Sequence, residues 1–204
     1  MGGESKMSGR PDLTALLGSR ICHDLISPIG AISNGVELLM MEGATTSPEI
    51  ALILNSVTHA NARIRFFRVA FGVSGGDQRV GRAEVLAILT DLTRGGRISI
   101  DWDTPPDLNR RDVKLAFLLI QCLESALAYG GRIEVRQTDG RWQIIGRAAK
   151  LRIEPALWDM LVNPGATGEI GPAQVQFLLV PEEFNRQHRR LTAQLSEAEI
   201  RLSF

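Results

Sequence analysis

A histidine beside a carboxylate, in the stretch Ser19-Arg20-Ile21-Cys22-His23-Asp24-Leu25-Ile26-Ser27-Pro28, is the part of this sequence best equipped for chemistry. A neutral imidazole can attack phosphorus as a nucleophile. The neighbouring acid can orient the ring or favour its cationic form; as a plain solvated charge it does neither. Spacing tells which way His23 points. Apolar residues recur at Leu17, Ile21, Leu25, Ile32, Val36 and Leu39, in steps of three, four or seven, the pattern of an amphipathic helix. Two helical steps turn about 200°, so His23, two residues from both Ile21 and Leu25, is expected on the solvent side. Ile26, Ser27, Gly30 and Asn34 share that side and form a mixed small and apolar patch suited to a partner. Arg20 is a candidate for meeting a partner's acidic groups or a phosphoryl group. Pro28 is expected to kink the helix one turn beyond the histidine.

The elements that must hold these residues follow from the rest of the chain. A first helix is expected from about Pro11 to Met41, with Gly43 as its stop. A short loop, capped by Ser47, returns the chain antiparallel. The second helix carries Ile50, Ile53, Val57, Ala60, Ile64, Phe67 and Phe71, a heptad seam. A hairpin of two helices cannot bury such a seam alone. Either a second copy completes a four-helix bundle, giving a homodimer, or the seam packs on the rest of its own chain. His59 falls off the seam and reads as a surface residue.

Val73-Ser74-Gly75-Gly76-Asp77 is a turn-rich break. Beyond it the pattern becomes mixed. Helices are expected at Ala83–Leu92, Asp112–Tyr129, Glu154–Leu161 and Ala173–His188, the last split or kinked at Pro181. Strands are expected at Arg97–Trp102, Leu191–Leu195 and Glu199–Phe204. A hairpin joins Ile133–Gln137 to Trp142–Ile145 through an Asp-Gly turn. The fold class is α+β. Residues 1–10 form a disordered tail or a non-native leader, 11–74 a helical hairpin, and 80–204 an α/β sandwich with one helical layer on a mixed sheet.

The 204 residues suffice for a real core. A formal net charge of zero argues against nucleic acid or an anionic membrane held by bulk charge. No run approaches a membrane span and no secretory segment follows the start, so a cytoplasmic location is expected. Cys22 and Cys122 make no metal-ligand pattern and read as two free buried thiols.

The string His23-Asp24-Leu25-Ile26-Ser27-Pro28 resembles the H-box of sensor histidine kinases: His, acid, aliphatic, two free positions, Pro. The order of parts, a helical hairpin and then an α+β unit, is similar to a kinase's phosphoacceptor bundle and GHKL-type ATP-binding domain. The nucleotide-binding features are not there. Gln121 and Ser125 stand where a kinase carries the asparagines of its magnesium site. After Ile144-Ile145 comes Gly146-Arg147-Ala148-Ala149-Lys150, with no acid to read adenine. Gly165, Gly168 and Gly171 lack the tight phosphate-binding pattern. A retained bundle with a degenerate nucleotide domain resembles the ChpT family of histidine phosphotransferases of alphaproteobacterial phosphorelays. The likeness is most specific over Leu16–Leu39, including Gly30-Ala31-Ile32-Ser33-Asn34-Gly35, and looser at Ala128-Tyr129-Gly130-Gly131 and Val175-Gln176. The His-x-Leu-Lys-Gly signature of monomeric phosphotransfer domains is absent from the sequence.

The resemblance implies a homodimer with His23 as phosphoacceptor. It implies transfer between the receiver domain of a CckA-type hybrid kinase and CtrA-type response regulators, in cell-cycle regulation. No nucleotide or metal is expected on this chain, Mg2+ being carried by the receiver. The rivals are an ATP-dependent histidine kinase core and a non-catalytic receiver-binding scaffold.

Overall fold

The computed structural model describes residues 13–42, 48–72, 77–163, 165–166 and 168–204. Helix α1 (Leu13–Glu42) runs as one element through Pro28, and α2 (Pro48–Ala70) packs along it. The expected stop at Gly43, cap at Ser47 and break at 73–76 lie outside the described residues, as does the 1–10 tail.

The second unit follows the order β1 (Arg79–Gly81), α3 (Arg82–Thr93), β2 (Ile98–Asp103), β3 (Asp107–Asn109) and α4 (Arg110–Ala126). It continues with β4 (Gly131–Thr138), β5 (Arg141–Arg147), α5 (Pro155–Val162), α6 (Gln176–Arg186), β6 (Thr192–Leu195) and β7 (Glu199–Ser203). The sheet order is β2-β4-β5-β7-β6, with β2 and β4 parallel and the other neighbours antiparallel. This is the expected α+β architecture. The β4–β5 turn uses Asp139 and Gly140 at φ of 52° and 77°, the left-handed pair that a two-residue hairpin requires.

Several boundaries differ from the sequence reading. The short pair β1–β3 was not foreseen; three-residue strands carry too little alternation to detect. Helix α4 ends at Ala126 rather than Tyr129, because the backbone leaves the helical region at Leu127, with ψ of 39°, and Gly130 takes a positive φ of 101°. The segment expected as one helix from Ala173 is a 3-10 turn (Pro172–Gln174) followed by α6. The division falls at Val175, and Pro181 lies inside α6.

Helix α4 is the centre of the core. Every residue from Val113 to Leu123 is buried, since the sheet covers one side and α2 and α6 cover others. The side chain of Asn109 caps its start by accepting from the Arg111 amide at 2.8 Å. The seam expected along α2 is divided between two environments. Ala60 and Phe67 are buried in the chain's own core, together with Ala62, Phe66, Val69 and Ala70, because α2 packs on α3 and α4. Val57 and Ile64 remain exposed. So do Ile29, Val36, Leu38, Leu52 and Leu54, leaving the hairpin an uncovered apolar surface.

Among the described residues the outward-facing side chains of the sheet are largely charged. Charges of alternating sign cross the strands there: Arg132 pairs with Asp101, Arg147 joins Glu134 to Glu199 at 2.7 Å each, and Arg201 meets Glu199 at 2.8 Å. Arg147's hydrogen bond holds the Glu199 carboxyl below its ordinary range.

Candidate functional site

Helix α1 places His23 as its spacing requires, with its side chain 77% exposed. Ile26, Ser27, Gly30 and Asn34 are all exposed at helical spacing from it, so the five form one open face. A Cβ built on Gly30 would meet nothing within 4 Å, so no neighbour demands glycine there.

Asp24 behaves differently from its neighbour. Its side chain is only 12% exposed and both carboxylate oxygens are engaged. Oδ1 lies 3.0 Å from His23 Nδ1, and Oδ2 accepts from Arg20 Nε at 2.9 Å. The ring therefore has one nitrogen tied to a carboxylate. An Nδ1–H donated to Asp24 leaves the Nε2 lone pair facing solvent. Asp24 is thus an engaged carboxylate and not a solvated charge.

Arg20 has two partners within the chain. Its side chain is 13% exposed, held by Asp24, and a second N–H donates to the Ala173 carbonyl in the 3-10 turn before α6. Within this chain the guanidinium joins α1 to the second unit.

Behind Asp24 lies a groove of about 350 Å3, lined by Ser27, Pro28 and Ala31 of α1 and by Asn55, Ser56, His59 and Arg63 of α2. His59, read from sequence as an ordinary surface residue, accepts a place in this wall and contacts the Arg94 carbonyl through Nε2 at 3.0 Å. Its position off the seam was the only sequence signal, and it did not distinguish a groove wall from open surface.

The three positions compared with a nucleotide site sit as follows. Gln121 is buried in α4, and Ser125 donates its hydroxyl to the Cys122 carbonyl at 2.6 Å. At the end of β5, Arg147 is occupied by Glu134 and Glu199. Gly165, Gly168 and Gly171 are not among the glycines with positive φ, so no special backbone turn depends on them. Among the described residues no group of three or more His, Cys, Asp or Glu could hold a metal ion, and no helix is long and apolar enough to cross a membrane. Cys122 is buried and free, and burial pushes its thiol well above the ordinary value; the Cys22 side chain lies outside the described residues.

Residues 82–199 match the family of the histidine phosphotransferase C-terminal domain. The chain belongs to the histidine phosphotransferase family. It is 36% identical over 164 residues to the protein phosphotransferase ChpT of Brucella abortus (strain 2308), covering 78% of this chain and 77% of that protein. A bacterial phosphotransferase solved at 1.7 Å superposes with a TM-score of 0.79 at 31% identity, over 99% of this chain and 98% of the other. Membership supplies what the site geometry alone leaves general. The protein is a histidine phosphotransferase of a phosphorelay, and its exposed imidazole with an engaged carboxylate lies on a helical hairpin rooted in a family-specific second unit.

Proposed function

We propose that His23 is the phosphoacceptor and that it carries phosphate between receiver-domain aspartates. The observation that carries this reading is the His23 Nδ1–Asp24 Oδ1 contact at 3.0 Å on an otherwise open ring. In the forward step the Nε2 lone pair attacks the phosphorus of a receiver's acyl phosphate in line. The N–P bond forms as the P–O bond to the aspartate breaks, and the carboxylate leaves with that electron pair. The Nδ1 proton stays shared with Asp24, which stabilises the positive ring so formed. The reverse step delivers the group to a second receiver. Mg2+ bound by the receiver offsets charge on the transferring phosphoryl group.

The exposed face of Ile26, Ser27, Gly30 and Asn34 supports receiver docking beside His23. A second copy of the chain, covering Ile64, Leu54 and the other exposed apolar residues of the hairpin, completes a four-helix bundle. The ChpT likeness supports a CckA-type donor, CtrA-type acceptors, a role in cell-cycle control and a cytoplasmic location. The formal net charge of zero supports a chain that binds neither nucleic acid nor an anionic membrane. The chain works without its own nucleotide, metal or autokinase activity, as the residues at Gln121, Ser125 and Arg147 support.

The test is to mix the pure protein with a panel of receivers charged by acetyl phosphate. Acid-labile phosphate should appear on His23 and pass on to a second receiver. No phosphate on His23 from any receiver would sink the reading in favour of a non-catalytic scaffold.

A further inference from the structure

Arg20 and Asp24 form a pair whose reason is not helix stability. They stand four residues apart with the cation first, the less favourable order for an isolated helix. Both are nearly buried, so the hydrogen bond is sheltered from water and stronger than a surface pair. The same guanidinium donates to the Ala173 carbonyl, across a sequence separation of 153 residues. A continuous line of contacts therefore runs from the second unit to the reactive ring: Ala173 carbonyl, Arg20, Asp24 Oδ2, Asp24 Oδ1, His23 Nδ1. Ile21 packs against the same core beside it.

The geometry points to Arg20 as a positioning residue through which the second unit fixes the carboxylate, and thereby the tautomer, of His23. This rests on the reading of His23 as phosphoacceptor. It assigns the second unit a part in phosphotransfer: holding the nucleophile's Nδ1–H in place. The planar fork of Arg20 suits the task because it reaches two acceptors in fixed directions. With Arg20 gone, Asp24 is free to turn toward solvent. The ring then samples both neutral tautomers, and only one of them presents the Nε2 lone pair.

The experiment uses the full unphosphorylated chain labelled with 15N. Two-bond 1H–15N correlations report each histidine's tautomer, and the His23 signals are identified by their loss in His23→Ala. Wild-type His23 should show the Nδ1–H form. Arg20→Met should shift it toward a tautomer mixture and slow phosphate acceptance about tenfold, the scale of losing one charge-assisted bond to an orienting acid. Arg20→Lys, which keeps the charge but cannot span both acceptors, should restore only part of each. Pro172→Gly frees the backbone that sets the Ala173 carbonyl while sparing Arg20, Asp24 and His23. It should move the tautomer in the same direction, and adding it to Arg20→Met should add nothing further.

If Arg20→Met slows transfer while the His23 tautomer stays as in wild type, Arg20 touches the partner instead and the inference fails. It also fails if Pro172→Gly leaves the His23 signals unmoved, since the second unit then plays no part. A failure of the phosphoacceptor reading shows separately, as wild-type protein that takes no phosphate on His23 whatever its tautomer.

Discussion

The ring of Phe66 lies stacked on that of Phe117, centroids 4.6 Å apart and planes 24° apart. One residue belongs to α2 of the hairpin, the other to the central helix of the second unit, and both are fully buried. The hairpin is therefore rooted in the second unit's core. Phe66→Ala should cost about 3–5 kcal/mol, the range for emptying an aromatic site in a packed core. Urea unfolding followed by circular dichroism should show one transition, moved to lower denaturant. Two separate transitions in the wild type would show that the units fold independently.

Assembly and chemistry should separate by mutation. His23→Ala should abolish phosphotransfer and leave the proposed dimer intact, because the side chain faces solvent. Ile64→Asp should break the proposed dimer, since it would place an unpaired charge where a second copy would cover the exposed Ile64. Light scattering coupled to size exclusion reads both. A monomeric wild type at micromolar concentration would remove the bundle from consideration.

Receivers should share one docking face. With His23 as the proposed phosphoacceptor, the phosphoryl group moves over bond-forming distance, so donor and acceptor would each seat an aspartate pocket on it. Ile26 is 68% exposed beside it. Ile26→Glu should slow transfer with both receivers while changing stability by less than about 0.5 kcal/mol, as exposed substitutions do. An acceptor receiver lacking its aspartate should inhibit transfer from the donor at saturation. Absence of that inhibition would mean two separate sites.

The acid side of the stability profile should depend on Glu183. This buried carboxylate is pushed up by burial, but hydrogen bonds from Gln187 and Lys114 and the charges of Lys114 and Arg186 hold it below its ordinary range. A depressed value stabilises the fold at pH above about 4.3, the unfolded glutamate value, and that contribution disappears as pH falls through the folded value. Glu183→Gln should flatten the acid limb of stability measured by denaturant titration between neutral pH and pH 3. Lys114→Met should cost about 1.5–3 kcal/mol at pH 7, because it removes one charge-assisted bond to Glu183 while Arg186 and Gln187 keep theirs. An unchanged acid limb in Glu183→Gln would assign acid unfolding to other carboxylates.

Nucleotide should leave the protein untouched. Titration calorimetry with ATP and magnesium should give no binding heat. Micromolar affinity together with autophosphorylation would reassign the protein as a kinase.

The sequence made the hairpin, the five-stranded unit and the solvent position of His23 readable, because each rests on local periodicity. Ile21 and Leu25 placed the ring, and the Asp-Gly at 139–140 placed the turn. Where the reading fell short, the cause was a contact distant in sequence. Nothing near Arg20 in the chain announces a carbonyl at residue 173. The division of the α2 seam likewise depends on α3 and α4 covering Ala60 and Phe67 while leaving Ile64 open, which no heptad count contains.

Beside the ion pairs Arg63–Glu124, Arg65–Asp91 and Arg68–Glu84, four links between the two units share one chemical form. Arg20, His59, Arg110 and Lys114 each reach across with a side chain, and each meets a main-chain carbonyl, at Ala173, Arg94, Arg68 and Gly72 respectively. Only one end of each link is written in a residue's identity. Positions 68, 72, 94 and 173 can drift without breaking these bonds so long as the backbone path survives, whereas 20, 59, 110 and 114 cannot. Paired substitutions between relatives, the usual statistical trace of two surfaces in contact, would therefore be faint at these four bonds and gather instead at the ion pairs Arg63–Glu124, Arg65–Asp91 and Arg68–Glu84.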